Sequence, residues 1–338
     1  MTTIPVISSY VLKGLPAFVR QEIGEVALQR ANRAGRFDAE MIEGKNYFIP
    51  QLAVLEFANT IARAAGEPNF GLLIAPSMDA SSYGNFGRYV FGADTLGHAI
   101  ARSIATLCYH STFDKLSLTA LGEHMRYGWT CASANSEGYP TVACAAAGEM
   151  LSLFKAYLPA SWRPVCIELN IETPHQISLF EDTFQCPVHF NASAVAIVFE
   201  RRHLMATSTR TSQPMVTIED VVRDWPDGAP RSLLAVTIEQ IRTQVFIGSV
   251  SIDDIAWSMD TSVRTLQREL NRAGTDFRSL TSVVRIQRAT ELLRQTGSSI
   301  THISAELGYS SPAHFTRAFR KMTGVGPREF RASKQHGD

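Results

Sequence analysis

Apolar positions recur with two different periods along this chain, and the change of period divides it. Before residue 208, helix-like and strand-like stretches are mixed. Apolar residues at i, i+3, i+4 spacing predict helices over Ala17–Ala34, Pro50–Ala65, Leu96–Tyr109, Thr141–Tyr157 and His175–Phe184. Alternation or short β-branched runs predict strands at Lys115–Thr119, Glu123–Thr130, Pro164–Ile171, Val188–Phe190 and Ala194–Phe199. That mixture predicts an α+β N-terminal domain over residues 14–207. Residues 208–231 are polar and broken by Pro214, Pro226, Gly228 and Pro230, which suits a connection holding one short helix near Ile218–Arg223. From 232 to 334 only the helical period remains, and an all-α domain is expected.

The C-terminal pattern is a grammar used twice. After a helix over Leu233–Ile247, ended by Gly248, Ser251 is placed to cap a short helix with Ile252, Ile255, Ala256 and Met259 on one face. Asp260-Thr261 stops it, and Ser262 caps a second helix, Val263–Arg272, with Val263, Leu266 and Leu270 inward. The same order returns 48 residues later. Ser299 caps Ile300–Leu307, Gly308-Tyr309-Ser310 forms the turn, and Ser311 caps a helix running from Pro312 to Met322 with Phe315 and Phe319 inward. Pro312 stands at the first helical position, where a missing N–H costs nothing. Gly324 ends that helix, and Pro327 opens a last short turn through Phe330. Between the two units, Asp276–Thr296 predicts a long helix. Two short helices joined by a tight turn, with the second apolar inside and polar outside, make a helix-turn-helix; the expectation is two of them joined by a long helix.

The outward faces give these units their chemistry. The first exposes Arg264, Thr265, Gln267, Arg268 and Arg272 just after Ser262; the second exposes Ala313, His314, Arg317 and Arg320 just after Ser311. In a major groove, Arg pairs with guanine O6 and N7 and Gln with adenine N6 and N7. Arg264, Gln267, Arg268 and Arg317 are therefore expected to contact DNA. Arg272 and Arg320 fit phosphate contacts or solvated charges, and His314 fits either role.

Charge supports this reading once it is divided. The chain is formally neutral, with 32 basic and 32 acidic residues. From Ser232 onward there are 14 basic residues against 10 acidic, and between Arg264 and Lys334 there are 13 against 5. A basic module attached to an acidic one implies a polyanion partner. Double-stranded promoter DNA is the expectation. Five scattered cysteines without a CxxC pair fit reduced core residues. No apolar run reaches a membrane span and the start lacks a signal pattern, so no membrane partner and a cytoplasmic location are expected.

Residues 252–331 resemble the AraC/XylS family of bacterial transcription regulators. The resemblance lies in Met259-Asp-Thr-Ser-Val-Arg-Thr-Leu-Gln-Arg-Glu-Leu and in the run from Ile303 through Gly308, Pro312, Phe315, Phe319, Gly324 and Pro327 to Arg331. Asp260 stands where that family often has Gly; Asp tolerates the left-handed conformation, so modest strain is expected there. A looser resemblance covers about Gly14–Met205. It is similar to the arabinose-binding-type N-terminal domain of some of these regulators, carried by Phe70-Gly-Leu-Leu-Ile, Phe86-Gly-Arg-Tyr-Val, Asp94-Thr-Leu-Gly-His-Ala-Ile and Phe184-Gln-Cys-Pro-Val-His-Phe. This resemblance implies effector sensing, homodimerisation, or both. It also implies promoter activation with RNA polymerase as partner.

Other constellations carry less. Arg126, Tyr127 and Trp129, with Glu123, lie on a predicted strand and offer a polar-aromatic lining for an effector, or else an edge strand facing solvent. His98, His110 and His124 lack metal-ligand spacing, and neither metal nor cofactor is expected. Cys186-Pro187-Val188-His189 offers one nucleophile candidate, as in alkyl-transfer DNA-repair enzymes that carry a similar DNA-binding module. Its spacing is wrong for that role, so no catalytic residue is expected. A DNA-repair alkyl-transfer enzyme and a regulator without a ligand stand as the alternatives.

Overall fold

The computed structural model describes residues 3–67, 69–208 and 216–335, which fall into a unit from Pro5 to Arg231 and a second that takes Thr3 and Ile4 together with Ser232 onward. The first unit begins with strand β1 (Val6–Ser8), helices α1 (Leu15–Glu22), α2 (Glu25–Gly35) and α3 (Ala39–Ile42), and strand β2 (Phe48–Pro50). Helices α4 (Gln51–Ala65), α5 (Phe70–Ile74), α6 (Gly84–Phe91) and α7 (Leu96–Thr106) follow. A hairpin of β3 (Lys115–Leu121) and β4 (His124–Thr130) leads to α8 (Tyr139–Lys155). Then come β5 (Cys166–Glu168), α9 (Ile177–Phe184), β6 (Val188–His189), β7 (Val195–Glu200) and α10 (Ile218–Asp224).

The main sheet has the order β3-β4-β7-β5-β6, antiparallel except for the β5–β6 pair. A two-stranded sheet pairs β1 with β2. Helix α8 is apolar over most of its circumference and runs through the core, with Ala143, Ala147, Leu151 and Phe154 buried. Two glycines let backbone approach it closely. A Cβ on Gly148 would lie 2.0 Å from the Ala75 carbonyl oxygen, and one on Gly71 would lie 2.5 Å from that of Thr141.

The single helix expected over Ala17–Ala34 is two helices, because Gly24 turns the chain with φ +117°. Strands β1 and β2 and helices α5 and α6 were not predicted; three-residue strands and buried helices of five to eight residues leave too few positions for a period to show. Residues 209–215 of the expected connection lie outside the described residues. From Thr217, a capping box with Asp220 starts α10. Just beyond it, Trp225 packs its ring edge-on to Phe48, with centroids 4.8 Å apart, so this part of the segment is fixed on the N-terminal unit.

The second unit is wholly helical: α11 (Leu233–Ile247), α12 (Ile252–Ser258), α13 (Val263–Arg272), α14 (Phe277–Gln295), α15 (Ile300–Glu306), α16 (Pro312–Thr323) and α17 (Pro327–Gln335). Six successive helices open on a side-chain cap, from Ser232, Ser251, Ser262, Asp276, Ser299 and Ser311. Each such cap contributes about 1 kcal/mol, which matters for helices too short to hold alone. The last turn expected at Pro327–Phe330 is instead a nine-residue helix. No helix among the described residues is long and apolar enough to cross a membrane.

Candidate nucleic-acid interface

Helix α13 has a sharply two-sided surface. Leu266 and Leu270 are fully buried, each contributing about 1.5–3 kcal/mol of transfer free energy, and they fix the helix against α12, where Ile255, Ala256 and Met259 are also buried. Between the two helices Asp260 adopts φ +49°, the left-handed turn expected of that position. The Ser262 hydroxyl accepts from the Thr265 backbone N–H at 3.1 Å and donates to its Oγ1 at 3.0 Å, closing the first turn. Arg264, Gln267, Arg268 and Asn271, at i, i+3, i+4 and i+7, are exposed on the opposite face. Asn271 completes a stripe whose first three members were named from sequence.

The arginines of this stripe are not equivalent. Glu269 accepts from Arg272 at 2.6 Å and from Arg268 Nε at 3.3 Å, holding both near the helix. Arg264 and Gln267 make no hydrogen bond or ion pair among the described residues. The arrangement leaves Arg264 and Gln267 ready to meet a ligand and requires Arg268 to give up a partner first.

The second unit repeats the design with aromatic packing. Phe315 and Phe319 are fully buried, edge to face with each other, and Phe319 also meets the Phe330 ring at 5.4 Å. Gly308 makes the turn with φ +70°, and Gly324 ends α16 with φ +83°. Ser311 accepts from the His314 N–H at 3.2 Å. Ala313, His314, Arg317, Arg320 and Lys321 are exposed together. His314 Nδ1 lies 2.7 Å from Ser310 Oγ, which ties its ring to the turn and leaves Nε2 as its outer hydrogen-bonding atom. Lys321, four residues past Arg317, was overlooked in the sequence, although the i+4 spacing marks it. Helix α14 joins the two units and, with 19 residues, is about 28 Å long.

In the N-terminal unit the structure separates the residues considered for an effector. Tyr127 and Trp129 line a cavity of about 150 Å³. Arg126 points to the other side of the sheet, in an ion pair with Glu168 at 2.7 Å. Glu123 precedes β4 in the hairpin turn. Alternation on a strand forces this outcome, since neighbouring residues face opposite sides. Nor is β4 an edge, because β3 and β7 flank it. The polar residues that do reach the cavity include Tyr83, Ser103, His110, Ser111, Asp114, Thr141 and Glu149. They come from three separate stretches, at Tyr83, over Ser103–Asp114 and on α8, so no local motif announced them.

Burial sets the state of these groups. The Glu149 carboxyl lines the cavity, and desolvation raises it to about 7, tempered by the neighbouring Tyr83 hydroxyl. His110 is stacked between the Tyr83 and Phe86 rings, and burial lowers it to about 4, so it is neutral. Among the other histidines, His98 is exposed on α7 and His124 begins β4. Cys186 is buried, and desolvation, followed by the nearby Cys166, pushes its thiol up to about 12. Such a thiol is almost never ionised and makes a poor nucleophile.

Two families match the chain. Residues 26–208 match the arabinose-binding domain of AraC transcription regulator, N-terminal, and residues 235–333 match a helix-turn-helix domain. The ornithine utilization regulator of Pseudomonas aeruginosa is 24% identical over 93% of this chain and 95% of its own length. The urease operon transcriptional activator of Escherichia coli is 36% identical over 26% of this chain and 30% of its own. An HTH-type transcriptional regulator of Mycobacterium tuberculosis is 36% identical over 27% of each chain. These last two matches therefore span less than a third of the relatives. The solved structure of the transcriptional regulator CdpR from Pseudomonas aeruginosa is 21% identical, covers 78% of this chain and 86% of its own, and has a TM-score of 0.37. The matching families and relatives are transcription regulators and not enzymes.

Proposed function

The chain belongs to the AraC family of transcription regulators, and from that premise we propose that each chain reads promoter DNA through two recognition helices. Helices α13 and α16 enter successive major-groove segments. Arg264, Gln267 and Arg268 contact bases; Arg317, Arg272 and Arg320 contact phosphate; and Ser262, Thr265, Ser311, Ala313 and His314 frame the helix starts. The observation that carries this reading is the pair of Ser-capped helices, each buried on one face and presenting a polar, basic stripe on the other. A helix about 28 Å long between them suits two groove entries about 34 Å apart once each unit adds its own width.

The N-terminal domain senses a small molecule and joins two chains, so that ligand binding changes how four recognition helices meet an operator. Activation, through contact with RNA polymerase at an occupied promoter, is the output. The cavity walled by Tyr127 and Trp129 supports the sensing role. The test is fluorescence anisotropy of the full chain on promoter fragments from its own chromosomal neighbourhood, in rising salt. Tight binding to one fragment, weakening steeply with salt, is expected. Equal, weak binding to every fragment would refute sequence-specific reading.

A further inference from the structure

Helix α8 explains why the N-terminal unit contains a cavity. Its run of small residues leaves Ala145 and Ala146 facing the space, where a larger side chain would have filled it. Aliphatic and aromatic groups make most of the wall. At about 150 Å³ the space matches an apolar cavity large enough to admit a benzene-sized body.

One region of the wall breaks the apolar pattern, and its charge has one sign. Asp114 and Glu149 both line the cavity, whereas no lysine or arginine does. His110 is neutral there. Two polar atoms are buried without a hydrogen bond of good geometry, Ser111 Oγ and Asp114 Oδ2, although the Ser111 hydroxyl and the Trp129 indole N–H are near enough to temper the carboxyl. Ser111 is only 3% exposed. The other Asp114 oxygen is occupied, accepting from Gln51 at 2.9 Å and from the Ala132 N–H at 2.8 Å. A buried acceptor left over beside a second carboxyl costs free energy until a donor reaches it.

We propose that this cavity binds a small apolar amine, whose ammonium group is taken by Asp114 and Glu149 and whose body lies against Trp129 and Tyr127. The assignment rests on the reading that the N-terminal domain senses an effector, and it supplies that effector's chemical class. A carboxylate ligand is disfavoured, because it would meet two acids and no base. A sugar is disfavoured, because its many hydroxyls would face a wall with too few partners. A cation is favoured by the two carboxyls, in a wall that also holds the Trp129 and Tyr83 rings. Burial already penalises ionisation of both carboxyls, so each gains from a cation that stays with it.

The test uses the full chain at pH 8 with four probes of similar size: benzylamine, benzyl alcohol, benzoate and L-arabinose. Titration calorimetry should give benzylamine at least a tenfold preference over benzyl alcohol, with benzoate and arabinose weaker still. Glu149→Gln should lower benzylamine affinity at least tenfold and leave benzyl alcohol unchanged. Equal binding of amine and alcohol, amine binding unaffected by Glu149→Gln, or preference for benzoate or arabinose would each overturn the amine assignment while leaving effector sensing in place. Promoter affinity of Ala146→Leu, which narrows the cavity, separates the remaining cases. If no probe binds but Ala146→Leu alters promoter affinity, the amine class falls and effector sensing stands. If no probe binds and Ala146→Leu changes nothing, both fall.

Discussion

Replacing Glu149 by Gln should raise the stability of the N-terminal unit at pH 8 and leave it nearly unchanged at pH 4.5. Burial lifts the Glu149 carboxyl from an ordinary 4.5 to about 7. Between those values the folded state binds more protons than the unfolded state. Stability contributed by Glu149 is therefore fully present below pH 4.5 and lost as pH rises through 7. The full loss is about 3 kcal/mol, less whatever water in the cavity recovers. His110 has the opposite sense. Lowered from 6.5 to about 4, it contributes stability above pH 6.5 that is lost as pH falls through 4. In the wild-type chain the two slopes oppose each other between pH 4.5 and 6.5, and the melting temperature should be nearly flat there. Gln at 149 removes one slope, so the variant's melting temperature should climb across that window. At about 2–4 °C per kcal/mol for a domain of this size, the variant should melt roughly 4–10 °C above wild type at pH 8. Circular dichroism melts from pH 4.5 to 8 read this directly. Parallel curves at all pH values, or a less stable variant at pH 8, would refute the placement of Glu149 in a desolvated wall.

The remaining predictions concern the DNA-binding unit. Gln267→Ala and Arg268→Ala should each relax base preference by about 1–3 kcal/mol at the affected positions, whereas Arg317→Ala should chiefly weaken binding to all operator variants; competition binding on a substituted operator set separates the two outcomes. Phe319→Ala removes a fully buried ring that packs against Phe315 and Phe330, and should cost about 3–5 kcal/mol in urea unfolding of the C-terminal unit. Asp260→Gly relieves a residue at φ +49° and should stabilise the same transition by up to about 1 kcal/mol.

How much was legible in the sequence depended on the range of the forces involved. The C-terminal helices were readable nearly to the residue, because serine caps, a glycine stop and a 3.6-residue period are local signals. Leu233–Ile247, Val263–Arg272 and the Ser311–Pro312 start all lie where those signals put them. The strands of the main N-terminal sheet and the longer helices were also found, with shifted ends. What escaped was decided by distant contacts. Tyr83, His110, Asp114 and Glu149 meet at one cavity only because a 3-10 turn, a loop and α8 fold together, and of the four only His110 and Asp114 are near in sequence. Arg126 was misplaced for a simpler reason. It was grouped with Tyr127 and Trp129 on the one element where adjacent residues cannot share a side.

Net charge, read from sequence, overstates what the C-terminal unit can offer a phosphate backbone, and salt dependence should expose the difference. Of the 13 basic residues between Arg264 and Lys334, several are held within the fold. In α14, Arg285 lies over the Tyr309 ring, Arg294 lies over Phe330, and Arg288 pairs with Glu291 at 2.9 Å. Arg331 donates to the Ser298 carbonyl at 2.7 Å, and Glu269 restrains Arg268 and Arg272. That leaves Arg264, Arg278, Arg317, Arg320, Lys321 and Arg328 exposed and without an ion pair among the described residues. If Arg264 reads a base and one of the others stays in solvent, about four displace counterions. The slope of log K against log salt should then be near −4 per chain, whereas full use of the basic residues would drive it beyond −10. A slope steeper than about −7 would mean that the α14 arginines leave their aromatic partners on binding, and the rigid placement of the two recognition helices would have to be abandoned.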